Sequence, residues 1–203
     1  MRRIAFVILF LAIVFTAPVA WGQNLVVNPE FATDVAGWSP GLTATIDWSS
    51  LDADAAPASG SGLVTNSDTV AGDASGALQC VDGISGDAVH LVSAHILVPS
   101  GQSETGRADL LVQWYAGPGC GGGQLSNDST TDVQSSTPDV WYASSSYLQA
   151  PSGTQSARLR LSVMKIEDYG SLQAHFDNVV FEEMIFGDDF ESGDLSAWSQ
   201  MVP

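Results

Sequence analysis

Three stretches of this chain alternate polar with apolar residues, and their polar positions carry planar groups suited to paired hydrogen bonds or ring contacts: His95; Gln113 and Tyr115; Arg158 and Arg160. A further ring, Tyr169, stands between Asp168 and Gly170, as at a loop tip. The remaining side chains able to do chemistry form no catalytic pattern. Cys80 and Cys120 are the two cysteines, and neither a Cys-x-x-Cys nor a Cys/His spacing suggests zinc. A glycosidase needs two carboxylates about 5 to 9.5 Å apart. Among 23 acids some pair meets that by chance, and the spaced Glu-x-x-Asp-x-x-Glu signature of sandwich glucanases is absent. There is no Gly-x-Ser-x-Gly elbow. The run Gly117 to Gly123 lacks the lysine and the following helix of a phosphate loop, and reads as a flexible loop pinned by Cys120. An enzyme is not expected.

Charge narrows the partners. The 203 residues hold 6 Lys+Arg against 23 Asp+Glu, a formal charge of −17, although only 14% of residues are charged. An ordinary soluble chain is about 25% charged, so the acidity comes from missing cations. Nucleic acid and anionic membrane surfaces both require clustered Lys and Arg, and both are excluded as partners. A hydrophobic content of 45%, with 8 Phe, 6 Trp and 4 Tyr, argues for a packed core against disorder.

The first 22 residues read as a secretory signal peptide. Met1-Arg2-Arg3 is cationic, Ile4 to Phe15 is an unbroken apolar run, and Ala20-Trp21-Gly22 gives small residues before the cut. The apolar run falls short of the roughly 20 residues that span a bilayer, and no later segment approaches that length. The protein is therefore expected outside the cell or in its envelope, with no transmembrane segment in the mature chain. Removing Arg2 and Arg3 leaves Arg107, Arg158, Arg160 and Lys165 as the only cations. Export also favours a disulfide between Cys80 and Cys120 over two free thiols.

The elements that must position these side chains are strands. Asp outnumbers Glu, one Lys is present, and Gly, Ser and Thr abound, a composition unlike a helix surface. Period-two alternation predicts strands over Ala88–Val98, Asp109–Tyr115 and Ala157–Met164, with Trp114 on an apolar phase. Further strands are expected at Leu25–Val27, Thr43–Trp48, Leu63–Thr65, Gly76–Cys80, Tyr142–Leu148 and Gln173–Glu182. Turn-rich stretches separate them. The fold class is all-β, one antiparallel β-sandwich over residues 23–184. Residues 185–203 form a C-terminal tail, in which Phe190-Glu191-Ser192-Gly193-Asp194 resembles short tails of secreted bacterial proteins. A sorting or attachment role and an extra strand packing Phe186, Phe190 and Trp198 are both open.

The opening Asn24-Leu25-Val26-Val27-Asn28-Pro29-Glu30-Phe31 with Gly37-Trp38, then Val92-Ser93-Ala94 to Gly101, Leu110 to Tyr115, Ala150-Pro151 to Leu161, and Phe176-Asp177-Asn178-Val179, resembles the calcium-bearing jelly-roll carbohydrate-binding modules of secreted glycoside hydrolases. The resemblance covers roughly residues 24 to 183. It implies a structural calcium that ties the domain's start to its last strand, with Asp177 as one ligand. The second acid usually follows the Phe, where this chain has Ala32; Glu30 precedes the Phe instead. The resemblance also implies that the alternating strands share one sheet. His95, Gln113, Tyr115, Arg158 and Arg160, with Tyr169, would then converge on its outer, concave face and bind a glycan. The acidity favours a neutral oligo- or polysaccharide. The alternative is a structural or adhesive surface protein without a sugar site.

Overall fold

A computed structural model describes residues 22–54 and 59–184. The signal peptide, apart from Gly22, and the whole C-terminal tail lie outside the described residues. Among the described residues eleven strands follow in chain order: β1 (Ser39–Pro40), β2 (Ala44–Ser49), β3 (Ser61–Asn66), β4 (Ala74–Asp82), β5 (Val89–Leu97), β6 (Gly106–Gly117), β7 (Gly121–Ser129), β8 (Val133–Gln134), β9 (Tyr142–Gln149), β10 (Ser156–Lys165) and β11 (Leu172–Glu183). They build two antiparallel sheets. The first runs β1-β4-β10-β6-β7, with β8 also on β6; the second runs β2-β3-β11-β5-β9.

The alternation in sequence becomes the two faces of each sheet, because successive side chains in a strand point to opposite sides. On β10, Ala157, Leu159, Leu161 and Val163 are fully buried, and on β6 so are Leu110, Val112 and Trp114. Across the interior they meet Val92 and Ile96 of β5 with Phe176, Val179 and Phe181 of β11. His90 also points inward, stacked on Phe181 at 4.8 Å and tilted against Trp114 at 5.6 Å, and burial lowers its pKa. Trp38 joins this core at 6% exposure. Each fully buried large apolar side chain contributes about 1.5 to 3 kcal/mol, so this interior, not any surface contact, sets the stability.

Two expectations change. Leu25–Val27 is not a regular strand. Leu25 N–H bonds the Phe181 carbonyl at 2.9 Å, whereas Val27 is held by the Gln79 amide, at 2.7 Å to its N–H and 2.9 Å to its carbonyl. The segment crosses from the second sheet to the first and so pairs fully with neither. The run Gly117 to Gly123 is not a flexible loop but the ends of two strands. Gly119 and Cys120 both have positive φ, 65° and 56°, and Gly121 N–H returns to the Pro118 carbonyl at 3.2 Å. That is the primed turn whose twist suits a hairpin.

Candidate functional site: the outer face of the first sheet

Strand register decides which polar side chains meet. Arg158 on β10 lies opposite Gln113 on β6 and Cys80 on β4; Arg160 lies opposite Leu111 and Leu78; Ser156 lies opposite Tyr115 and Asp82. Since the intervening β10 residues fill the core, Arg158 and Arg160 point outward, together with Gln113 and Tyr115. The Arg158 guanidinium carbon sits 4.9 Å from the centre of the Tyr115 ring, within cation–π range. Gln113 Nε2 donates to Gln124 Oε1 on β7 at 3.1 Å. These four residues share one face, as the sequence suggested.

The face is bounded. On one side, Pro40 to Thr43 run along the β4 edge, where β1 pairs, and enclose, with Gly76, Leu78, Arg158 and Arg160, an open groove of 580 Å³. At one end the disulfide Cys80–Cys120, with Cα atoms 6.0 Å apart, clamps the β6–β7 hairpin to β4. Cys120 N–H donates to Ser156 Oγ at 3.0 Å, and Ser156 Oγ donates to the Gly117 carbonyl at 2.6 Å, so the hairpin is also tied across β10. At the other end Arg107 pairs with Asp132 at 3.2 Å. Asp109 lies beside that pair and is pushed up to about 6, chiefly by burial; Ser162 and Arg107 oppose the shift, and Asp132 adds to it. Burial, then the neighbouring Arg158, lowers the pKa of Arg160.

His95 and Tyr169 are not part of this face. β5 belongs to the second sheet, where His95 pairs in register with Asp177 and its Nδ1 lies 3.1 Å from Asn178 Nδ2. Alternation shows which side of a strand is polar but not which sheet the strand joins, and the assumption of one sheet brought His95 in wrongly. Tyr169, 71% exposed, sits on the β10–β11 loop in the left-handed region at φ 60°. Its carbonyl accepts from Lys165 Nζ, as do those of Asp68 and Gly170, the last at 3.2 Å. Lys165 is fully buried and cross-braces the two loops. The ring of Tyr169 is thus held at one end of the sandwich, near the Arg107 end of the face rather than over Tyr115.

The residues expected to hold calcium fit it poorly. Asp177 is fully buried, and its two oxygens accept the N–H groups of Ala53 at 3.0 Å and Asn178 at 2.8 Å. Burial raises it to about 6; the two N–H bonds oppose that shift, and the acids Asp52 and Asp54 add to it. Glu30 is exposed, in a turn whose Pro29 carbonyl takes the Val179 N–H at 3.0 Å. The nearby Phe31 carbonyl is taken by Trp48 Nε1 at 2.7 Å. Among the described residues no group of three or more His, Cys, Asp or Glu is placed to hold a metal ion. Calcium prefers six to eight oxygens.

Sequence reasoning missed the groove wall at Pro40–Thr43 and the hydrogen-bond partner Gln124; alternation put Asp109 on the same side as Gln113 and Tyr115 but gave it no role. β7 was invisible because Gly121-Gly122-Gly123-Gln124-Leu125-Ser126-Asn127-Asp128-Ser129 has no apolar alternation. As an edge strand it packs one side against β6 and leaves the other in solvent.

The fold is the antiparallel β-sandwich of carbohydrate-binding modules. The xylan-binding CBM22-1 domain of Paenibacillus barcinonensis Xyn10C matches with a TM-score of 0.58 at 14% identity, over 80% of this chain and 95% of that one. The C-terminal family 22 module of Clostridium thermocellum Xyn10B matches at 0.55 and 19%, over 76% and 91%. The enzymatically active domain of bacteriophage CBA120 tailspike protein 4 matches at 0.57 and 14%. This chain covers 79% of itself but only 21% of that tailspike chain, and 28% and 27% of two other enzyme chains. No protein-family model and no curated protein sequence matches. No described helix is long and apolar enough to cross a membrane.

Proposed function

We propose that this protein is a secreted, non-catalytic glycan-binding module that lays a polysaccharide along the outer face of its first sheet. The observation that carries this reading is the convergence of Gln113, Tyr115, Arg158 and Arg160 on a face with a 580 Å³ groove. From Arg107 to Tyr115 the face extends about 26 Å, at roughly 3.3 Å per residue, which suits a chain of several sugars better than a single one. Planar amide and guanidinium groups make the paired hydrogen bonds that vicinal hydroxyls require. The likeness to the xylan-binding domain of Xyn10C supports the reading at the level of fold. Export rests on the N-terminal pattern and agrees with a disulfide at the site.

The test is affinity electrophoresis of the mature domain through gels containing soluble polysaccharides, with pull-down on insoluble ones. Retention that falls when Gln113 and Arg160 are replaced together supports the reading. A structural or adhesive surface protein is the second reading. It is favoured by one observation: the Tyr115 ring is 8% exposed beneath Arg158, while Tyr142, Tyr147 and Tyr169, the more open tyrosines, lie off this face. Retention on no polysaccharide by a correctly folded domain would decide for it.

A further inference from the structure

Among the described residues there are four cations, and their fates differ. Lys165 points into the sandwich and is held by three carbonyls. Arg107 is neutralised by Asp132 at 3.2 Å. Arg158 and Arg160 remain, two positions apart on the same side of β10 and lining the same groove. No carboxylate among the described residues lies within ion-pair distance of either one. Each guanidinium has five N–H donors. Arg158 makes one long bond to the Cys120 carbonyl at 3.5 Å, and Arg160 one to the Ala74 carbonyl at 3.4 Å.

In a chain with 23 acids this pairing is costly to arrange by neglect. Two like charges on adjacent outward positions repel, and each is half-withdrawn from water. Two acids line the groove: Asp68 accepts from Thr43 Oγ1 at 2.9 Å and from Val70 N–H at 3.0 Å, and Asp73 is exposed and forms no ion pair with either arginine. Asp109, the acid whose charge reaches Arg160, lies beyond ion-pair distance of it, beside the Arg107–Asp132 pair. Tyr115 fixes the Arg158 plane from one side, so that the fork is held ready at little further entropy cost.

A neutral glycan gives such a pair hydroxyl acceptors but no countercharge, and covering the groove would remove water from both guanidiniums uncompensated. A carboxylate supplies the countercharge and matches the fork with two oxygens. We infer that the ligand of this face is an acidic polysaccharide, its uronate carboxylates received by Arg158 and Arg160. This rests on the glycan-binding reading and replaces the neutral glycan expected from overall charge, because net charge averages over a surface whose one unpaired cationic pair lies in the groove.

The experiment compares three probes on the mature domain: polygalacturonate, the same polymer after chemical reduction of its carboxyls to neutral sugars, and neutral arabinoxylan. Expected is retention by polygalacturonate that weakens at least about tenfold on carboxyl reduction, and by a similar factor in Arg160→Gln. Arg160→Lys, which keeps the charge and loses the fork, should fall between. Equal retention by the reduced polymer, or retention by arabinoxylan alone, overturns the inference and leaves the glycan-binding reading standing. Retention by none of the three, nor by any other polysaccharide, overturns both. Melting curves report whether each variant is folded, and if Arg160→Gln is not, the reduced polymer with the unaltered domain still decides.

Discussion

Arg158 lies over the ring of Tyr115, its guanidinium carbon 4.9 Å from the ring centre, on the outer face of the first sheet. The ring is 8% exposed, so it acts as a platform for the arginine and not as a bare stacking surface. Tyr115→Ala should cost on the order of 3 kcal/mol of stability and weaken glycan retention, since Arg158 loses its support. Tyr115→Phe keeps the ring and should stay within about 1 kcal/mol of the parent. Urea denaturation and affinity gels read the two effects separately. Equal retention by the Ala variant would remove the platform role.

Asp109 gives the domain a pH dependence of known sign. Its pKa is raised from an ordinary 3.8 to about 6, so the folded state holds the proton more tightly than the unfolded chain does. Stability from this group is full below about 4 and is lost as pH rises through 6. Wild type should therefore gain on the order of 2 kcal/mol from this residue between pH 7 and 4, and Asp109→Asn should lack that gain. His90 and His175, both lowered by burial, act in the opposite direction, losing stability as pH falls below 6.5. Comparing Asp109→Asn with wild type at each pH cancels their contribution. Parallel pH curves for the two proteins would contradict the assignment.

Lys165→Met should be among the most damaging single changes. It leaves the carbonyls of Asp68, Tyr169 and Gly170 without their ammonium donor. The expected loss is on the order of 3 kcal/mol, with the loops at 67–72 and 166–171 opening first. Hydrogen exchange at Gly72, whose N–H bonds the Lys165 carbonyl at 2.8 Å, is the local readout.

Removing the disulfide by a Cys80→Ser, Cys120→Ser double change should cost about 4 kcal/mol, from the chain entropy of a loop whose ends are 40 positions apart in sequence. The same change frees the β6–β7 hairpin from β4, so retention on polysaccharide should fall further than the stability loss alone explains. Binding measured well below the melting temperature separates the two.

Calcium should have little effect. With the Asp177 oxygens on two N–H groups and the Phe31 carbonyl on Trp48, about 5 mM calcium against a chelator should shift the melting temperature by no more than about 1 °C. A larger rise would mean that the loop at 52–54 rearranges around an ion.

How far the sequence could be read follows from the range of the interactions. The faces of β5, β6 and β10 were legible because alternation is local: His90, Leu110 and Leu161 point inward where the pattern put them. The disulfide was legible because two cysteines leave one pairing, and the N-terminal pattern reads as an export signal. Sheet membership was not, because it is set by pairings such as β11 with β5, across some eighty residues of chain, and His95 went to the wrong face for that reason. The N-terminal segment failed differently: Gln79, one polar residue on an inward position, draws Val27 out of strand geometry. Glycine placement also carried information that spacing could not show. Gly62 has no side chain because a Cβ there would lie 2.9 Å from the Phe31 ring, the buried plug between the opening turn and β3.

Lys165 is the only lysine in the sequence, and it is shut inside the sandwich. A lysine-specific protease therefore has no side chain to grip while the loops at 67–72 and 166–171 stay closed, and cutting after Lys165 counts openings of that end directly. With reclosing faster than cleavage, the digestion rate measures how often the cage opens. The molecule thus carries its own single-site reporter of local unfolding, placed beside the groove whose walls the same loops help to hold.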